Sequence, residues 1–348
     1  MTPAAVFLQR LGHRAGAQAS LLRLLRQPAL RALNPVVVTG EEAWLSRTCT
    51  REGIACLVEE FPASRSLLGR LFGNAAFAAR VKRRLQDKTV VLVHGNDHLE
   101  SLLALELGRR LGVPTALFLR SIAMGARDFA KYRCGEHALV AAAGDELRQR
   151  AQAWAGSREI FALHDGLEPG DFAPPKAPPG RFPERLLVIG SPLELKGWSD
   201  VAAAHARFGG ALKLDFTGER PAALAPHPDF RFLGRSEAFR DLVRDYDLAI
   251  NASRQESFGI AALEVLAAGV PLLSTRVGAI GQVLTDERYL ASPGDPADLA
   301  AQLLALARGW PGCAMDVAAV QARIRDRFAA GRAAQRLVDA YRARGLIA

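Results

Sequence analysis

Short apolar runs recur along the whole chain, separated by longer stretches of helical pattern: Val36–Val38, Val90–Val93, Thr115–Leu119, Leu186–Ile189, Leu212–Phe216, Leu248–Ile250 and Pro271–Ser274. Runs this short, without the apolar/polar alternation of a sheet that faces water, read as strands buried on both faces. Buried strands joined by helices lie parallel. The pattern therefore confines the chain to an α/β fold of helix-covered parallel sheets. With 348 residues there is room for two such sheets, each with its own core. Near the middle, the segment from His164 to Arg185 carries Pro169, Pro174, Pro175, Pro178, Pro179 and Pro183. Proline at that density permits neither a helix nor a central strand, so the segment reads as a link between domains. The expected division is a Rossmann-like domain over 1–163, a linker over 164–185, a second Rossmann-like domain over 186–325, and a closing helix over 326–348 that packs back toward the first domain. Two such domains on a hinge place a ligand cleft at the carboxyl ends of their strands.

The charge is uneven. Lys and Arg outnumber Asp and Glu by 22 to 13 over residues 1–150, and the two balance at 23 each beyond, so the whole excess of +9 belongs to the first half. A positive field steers anionic partners. No aromatic-interleaved basic pattern accompanies it, which argues against nucleic acid. Within this half, Ser64–Leu85 combines Leu67, Leu68, Leu71, Phe72 and Phe77 with a basic end at Arg80, Lys82, Arg83 and Arg84. Such a helix suits an anionic membrane surface or glycolipid, or else packs its apolar side on the core. Cys49, Cys56, Cys134 and Cys313 show no CxxC or zinc-ligand spacing and read as free or buried thiols. No run reaches the roughly 18 apolar residues of a membrane span, and the first residues lack a signal-peptide core. A cytoplasmic protein is expected, with peripheral contact at the inner face of the membrane.

The most informative segment is Arg254-Gln255-Glu256-Ser257-Phe258-Gly259-Ile260-Ala261-Ala262-Leu263-Glu264-Val265-Leu266-Ala267-Ala268-Gly269-Val270-Pro271. A polar loop with one carboxylate turns at Gly259 into an apolar helix that carries a second. The start of a helix is an anion site, since its first amides have no intrahelical partner and its dipole is positive there. Carboxylates beside it repel phosphate but accept hydrogen bonds from hydroxyls. A ligand that satisfies both ends carries a diphosphate and sugars together, which describes a nucleotide-sugar. For Glu264 alone, the solvated side of a core helix is the simpler reading.

The same run closely resembles the donor-site signature of family-4 retaining glycosyltransferases of the GT-B fold: Glu256-x-Phe258-Gly259, Glu264 eight residues after the first glutamate, Ala267-Ala268-Gly269-x-Pro271, then Gly278-Ala279-Ile280. The resemblance is most specific from Asp247 to Gly281 and extends from Gly16 to about Tyr341. It implies two Rossmann-like domains with parallel sheets facing a central cleft, the second holding the nucleotide-sugar donor and the first the acceptor. Glu256 would accept hydrogen bonds from the transferred sugar, the amides around Ser257, Phe258 and Gly259 would hold sugar and phosphate, and Glu264 would bind the ribose hydroxyls. In Gly190-Ser191-Pro192-Leu193-Glu194-Leu195-Lys196-Gly197, Lys196 matches the family's phosphate-binding lysine while Ser191 stands where the family has arginine.

Further residues follow from the resemblance. Arg120, at a strand end where family members often have histidine, is a candidate phosphate ligand in place of that arginine, or else pairs with a local carboxylate. Gly16, in Arg14-Ala15-Gly16-Ala17-Gln18, resembles the glycine of the family's first loop, which lets the backbone approach the β-phosphate. Asp165-Gly166-Leu167-Glu168 with Phe172-Ala173-Pro174 matches the family's Asn-Gly-Val-Asp…Phe-x-Pro spacing, with Asp165 and Glu168 replacing Asn and Asp, and reads as structural. In His94-Gly95-Asn96-Asp97-His98, His94 or Asp97 would serve acceptor binding or act as a base, the alternative being loop capping. His94 and His98 lack a helical HExxH context, and Asp245-Tyr246-Asp247, though it has the form of a metal-binding Asp-x-Asp, precedes a buried strand, so no metal is expected. The implied activity is retaining and metal-independent transfer with no cofactor, in which Lys196 stabilises the nucleoside diphosphate leaving group. The anionic acceptor implied by the basic first half is a glycolipid or glycan of lipopolysaccharide or surface-polysaccharide assembly. Two alternatives stay open: a non-catalytic GT-B scaffold that binds a nucleotide-sugar, which Ser191 favours, and a glycosyltransferase acting on a soluble small molecule.

Overall fold

The apolar runs of the sequence become the central strands of two sheets. The computed structural model describes residues 3–62, 67–208 and 212–348, with the side chains of 67–71 outside the description. In the first sheet, β1 (Pro3–Gln9), β2 (Val36–Thr39), β3 (Ala55–Val58), β4 (Thr89–Gly95), β5 (Thr115–Leu119), β6 (Leu139–Ala143) and β7 (Phe161–Leu163) are arranged in the order β3-β2-β1-β4-β5-β6-β7. In the second, β8 (Arg185–Val188), β9 (Lys213–Phe216), β10 (Phe230–Phe232), β11 (Ala249–Asn251), β12 (Leu272–Thr275) and β13 (Leu290–Ala291) follow the order β10-β9-β8-β11-β12-β13. Every pairing is parallel. Strands β2, β5, β6 and β12 are buried along their whole length, as helices on both faces require. In each sheet the strand order reverses direction once, at β1/β4 and at β8/β11, and each reversal is a switch point.

The chain forms two compact units, one built from the residues up to Gly166 together with Ala330–Ala348, the other from Leu167–Ala329. The helix Ala330–Ala343 lies in the first unit, with Leu337 and Tyr341 buried. Most of the proline-rich stretch expected as a linker is instead part of the second unit. Its remaining N–H groups explain why: Leu167 donates to the Phe328 carbonyl at 2.8 Å, Ala173 to Ala267 at 2.8 Å and Lys176 to Gly269 at 2.9 Å. A segment short of backbone donors has used these to fasten itself to the unit it enters.

The helix Ile260–Ala267 shows how local sequence sets the site. It starts at Gly259 and stops before Gly269, both in the left-handed region at φ +85° and +86°, where glycine carries no steric penalty. The carbonyls of Leu266 and Ala267, left over at its end, are taken by the Gln321 side chain at 3.1 and 3.0 Å. A Cβ on Gly269 would lie 2.3 Å from the Pro174 carbonyl, so the stop also seats the proline-rich segment.

The basic helix runs over Leu67–Arg84. Leu67, Leu68 and Leu71, expected on its apolar side, lie outside the described side chains. Phe77 is buried in the core, whereas Phe72 is 73% exposed, because five helical positions separate them by well over a quarter turn. Much of the basic end is already matched: Arg80 and Arg84 both face Glu59, at 2.5 and 3.6 Å, and Lys82 donates to the Arg110 carbonyl. Among the described residues no helix is long and apolar enough to cross a membrane.

Candidate functional site

In the second unit, the loops after β8 and β11 meet at the switch point and bring together Lys196 and Glu256, sixty positions apart in sequence. Lys196 Nζ lies 2.6 Å from Glu256 Oε1, and the Ser253 hydroxyl donates to the same oxygen at 2.8 Å. The two loops are bound to each other through the backbone as well. Arg254 N–H donates to the Leu195 carbonyl at 2.7 Å, and its guanidinium grips Asp200 through two bonds of 2.8 and 2.7 Å. Gly197 makes this approach possible. It sits at φ +65°, and a Cβ there would fall 1.9 Å from the Ala252 carbonyl oxygen, so any side chain would force the loops apart. The Lys196 and Glu256 side chains remain 19% and 13% exposed, enough for either to exchange its partner for a ligand.

The second unit also carries several other residues named from the sequence. Ser191 is half-buried in the lysine loop, where its carbonyl accepts from Leu193 N–H at 2.8 Å. Ser257 is half-buried beside Glu256. Phe258 turns its ring inward, edge-on to Phe328 at 5.1 Å, and its carbonyl accepts from Ala279 N–H at 2.9 Å. Only the backbone of Phe258 therefore faces the site, and a Cβ on Gly278 would come within 2.5 Å of its carbonyl. No side chain caps the helix that begins after Gly259, while Ala262 N–H already bonds the Gly259 carbonyl at 3.1 Å, so only the amides ahead of it remain for an anion. Glu264 is half-buried one turn into that helix. Of the Asp-x-Asp sequence, Asp247 pairs with Lys176 at 2.8 Å and Tyr246 donates to Asp215 at 2.5 Å, while Asp245 closes a helix.

The first unit treats its candidates differently. Gly16 is exposed at the start of the helix Gly16–Arg26, which has no side-chain cap. Arg120, considered as a phosphate clamp, is instead buried and paired with Asp165 at 2.8 and 3.0 Å, while its Nε donates to Asn96 at 3.0 Å. The Asp165 carboxylate has taken the Nη1 end of the guanidinium that a phosphate would need. His94, considered as a base, is buried with Nδ1 2.6 Å from the Tyr341 hydroxyl. Burial, with the Arg120 guanidinium adding to it, holds its pKa down to about 3. It stays neutral and out of reach of an acceptor. Asp97 caps the short turn that follows, its Oδ1 accepting from His98 N–H at 2.7 Å and Arg120 N–H at 3.1 Å, so the loop-capping reading is the one the structure shows.

Among the described residues, one group has metal-type ligands close together: His205, His227 and Asp229. His205 Nε2 is already bonded to the Leu212 carbonyl at 2.8 Å and His227 Nδ1 accepts from Asp229 N–H at 3.2 Å, so both imidazoles serve the loop. Sequence reasoning missed Asp165 as the partner of Arg120, and Ser253 and Arg254 as the supports of Glu256. For Asp165 a signal existed, since Arg120 and Asp165 are departures of opposite charge from the pattern the chain resembles.

Two Rossmann-like units with parallel sheets of seven and six strands, the second carrying the Lys196–Glu256 pair at its switch point, define the GT-B glycosyltransferase fold. Residues 184–308 match the family described as glycosyl transferases group 1. Over 77 residues the chain is 40% identical to N-acetyl-alpha-D-glucosaminyl L-malate synthase of Bacillus anthracis, a stretch that makes up 22% of this chain and 20% of that protein. The fold is similar to that of Anabaena HepE solved in complex with UDP and glucose, with a TM-score of 0.80 at 16% identity over 97% of this chain and 99% of that one. It is also similar to the lipopolysaccharide outer core galactosyltransferase WaaB, with a TM-score of 0.71 at 15% identity over 98% of this chain and 99% of that one.

Proposed function

We propose that the protein is a retaining, metal-independent glycosyltransferase that moves a sugar from a nucleoside-diphosphate sugar to an anionic glycolipid or glycan. The observation that carries this reading is the Lys196–Glu256 pair, held at the switch point by two loops in backbone contact and partly open to solvent. A diphosphate competes for the ammonium and a sugar hydroxyl for the carboxylate, so a nucleotide-sugar offers each member of the pair a new partner. Lys196 would then neutralise charge that builds on the departing phosphate, a contribution that grows in the transition state. The open amides at the start of the helix Ile260–Ala267 would receive phosphate and sugar oxygens, and Glu264 the ribose hydroxyls. Arg120 is taken by Asp165, so Lys196 and backbone amides carry the phosphate where the resemblance has an arginine as well.

With Glu256 bonded by Lys196 and Ser253 rather than poised to attack, the reading favours same-face displacement, in which the departing phosphate takes the acceptor proton. The basic first half supports an anionic acceptor, and the likeness to WaaB supports one from lipopolysaccharide or surface-polysaccharide assembly at the inner membrane face. The test begins with a thermal-shift panel of UDP-, GDP- and ADP-sugars, in which the true donor at 100 times its Kd adds about 2.7 kcal/mol of stability. Transfer to extracted glycolipid, with the anomeric configuration read by NMR, completes it. A donor that stabilises the protein without release of nucleoside diphosphate to any acceptor would favour the scaffold reading that Ser191 suggests. An inverted product would end the retaining one.

A further inference from the structure

The buried ion pair of the first unit closes a loop of hydrogen bonds that begins and ends on one helix. Asn96 Nδ2 donates to the Ala17 carbonyl at 3.3 Å and to Gln9 Oε1 at 2.5 Å. Asn96 Oδ1 accepts from Arg120 Nε at 3.0 Å, Arg120 Nη1 spans both oxygens of Asp165, and the Asp165 carboxylate accepts from the Ser20 hydroxyl. Ala17 and Ser20 stand three residues apart at the start of the helix Gly16–Arg26, which receives no side-chain cap at Ala15. That helix start is therefore held from the side, against the ends of β1, β4 and β5, by a ring whose members are nearly all buried. Asp165 is also the penultimate residue before the chain leaves the unit.

Stability alone is a poor reason for this arrangement. Two charges lose their hydration when buried, and well-packed apolar residues of the same volume generally stabilise a fold at least as well. One guanidinium nitrogen, Arg120 Nη2, is buried with no hydrogen-bond partner, a further cost. What the pair supplies that apolar residues cannot is direction, because a planar guanidinium that donates through Nε to Asn96 and through Nη1 to Asp165 fixes angles as well as distance. We propose that Arg120 and Asp165 are positioning residues, which set the start of the helix Gly16–Arg26 and so place Gly16 for sugar transfer. The functional half of this statement rests on the glycosyltransferase reading, in which Gly16 approaches the substrate.

The test compares the double variant Arg120→Met/Asp165→Leu with Asp165→Asn, which keeps the size but drops the charge and turns one of the two accepting oxygens into a donor. Amide hydrogen exchange over residues 16–21 is followed beside the kinetics. In the double variant, exchange there is expected to rise about ten-fold while β11 and the helix Ile260–Ala267 exchange as before, the mark of a local rather than global opening. Turnover should fall on the order of 10²-fold, as small misplacements do, with the donor KM within about two-fold of wild type. Asp165→Asn should show the same changes in weaker form, and it decides the question if the double variant does not fold. Unchanged exchange over 16–21 overturns the positioning role, and so does a change confined to the melting temperature with kcat intact. If the wild type transfers no sugar, the function reading fails while the exchange data still decide whether the pair holds the helix.

Discussion

The two units each place a cation–carboxylate pair beside the carboxyl ends of their strands, and they use it in opposite ways. In the second unit Lys196 and Glu256 meet at 2.6 Å with their side chains 19% and 13% exposed. In the first, Arg120 and Asp165 meet at 2.8 Å with both side chains 6% exposed, with Asn96 on Arg120 Nε and Ser20 on the Asp165 carboxylate. The chemistry is nearly the same, and access to solvent separates the roles. A flexible lysine with open surroundings can release its partner to a ligand, whereas a sealed guanidinium has nowhere to go. Residue type and strand-end position alone therefore do not mark a ligand contact.

The comparison breaks most easily at the sealed pair. Arg120→Met should cost about 3–5 kcal/mol of stability, because it strands the Asp165 charge in the interior. A midpoint shift in denaturant of less than a third of that size would mean the pair is not sealed. On the open side the effect moves from stability to turnover: Glu256→Gln keeps the shape but loses the charge, and kcat should drop on the order of 10²–10³-fold. Nucleotide binding measured by calorimetry should change little, and a matching loss of both would count against the sugar-facing role of Glu256.

A third prediction concerns Glu100, buried beside the same strand ends with Oε1 accepting from Arg10 N–H at 3.0 Å and Oε2 unpartnered. Burial, reinforced by Asp97, pushes its pKa up from 4.5 to about 7. Between those values the folded chain holds a proton that the unfolded chain has released. This group's contribution to stability is thus full below pH 4.5 and declines as pH rises to about 7. Glu100→Gln should remove that decline, so that its stability relative to wild type grows by up to about 3 kcal/mol from acid to neutral pH. Parallel pH profiles for the two proteins would rule this out. The smallest effect belongs to Lys196→Met, which should alter stability by no more than about 1 kcal/mol while donor affinity falls. A larger loss of stability would make the open pair architectural too.

The strands with strong apolar runs were legible in the sequence. Those at β2, β4, β5, β8, β9, β11 and β12 coincide with the expected runs to within a residue or so. Strand β6 was not, because Leu139-Val140-Ala141-Ala142-Ala143 is alanine-rich and carries helix propensity that only burial in the sheet overrides. Strand β10, three residues of Phe-Arg-Phe, is too short for any period to show. The same divide runs through the site. Glu256, Phe258 and Gly259 lie within one short segment and announce themselves by spacing, and Lys196 by its glycine-flanked loop. The pairing of Arg120 with Asp165 spans 45 positions, and that of His94 with Tyr341 spans 247. Contacts at such separation follow from strand order and from the exact register of the last helix, and neither is written in any local pattern.

The close pairing of the two crossing segments bears on how this chain can be taken apart. Leu167 and Ala329 form a bridge, and Leu167 N–H reaches the Phe328 carbonyl at 2.8 Å, so the second unit begins and ends at neighbouring points. It is an insert, not a tail. Residues 167–329 should therefore lift out as one continuous cassette, while the first unit can be made alone only by splicing Gly166 to Ala330 so that the final helix is kept. Shortening the chain from its carboxyl end would damage the unit at the opposite end of the sequence, and exchanging the second unit for another would need two joints at these neighbouring points rather than one.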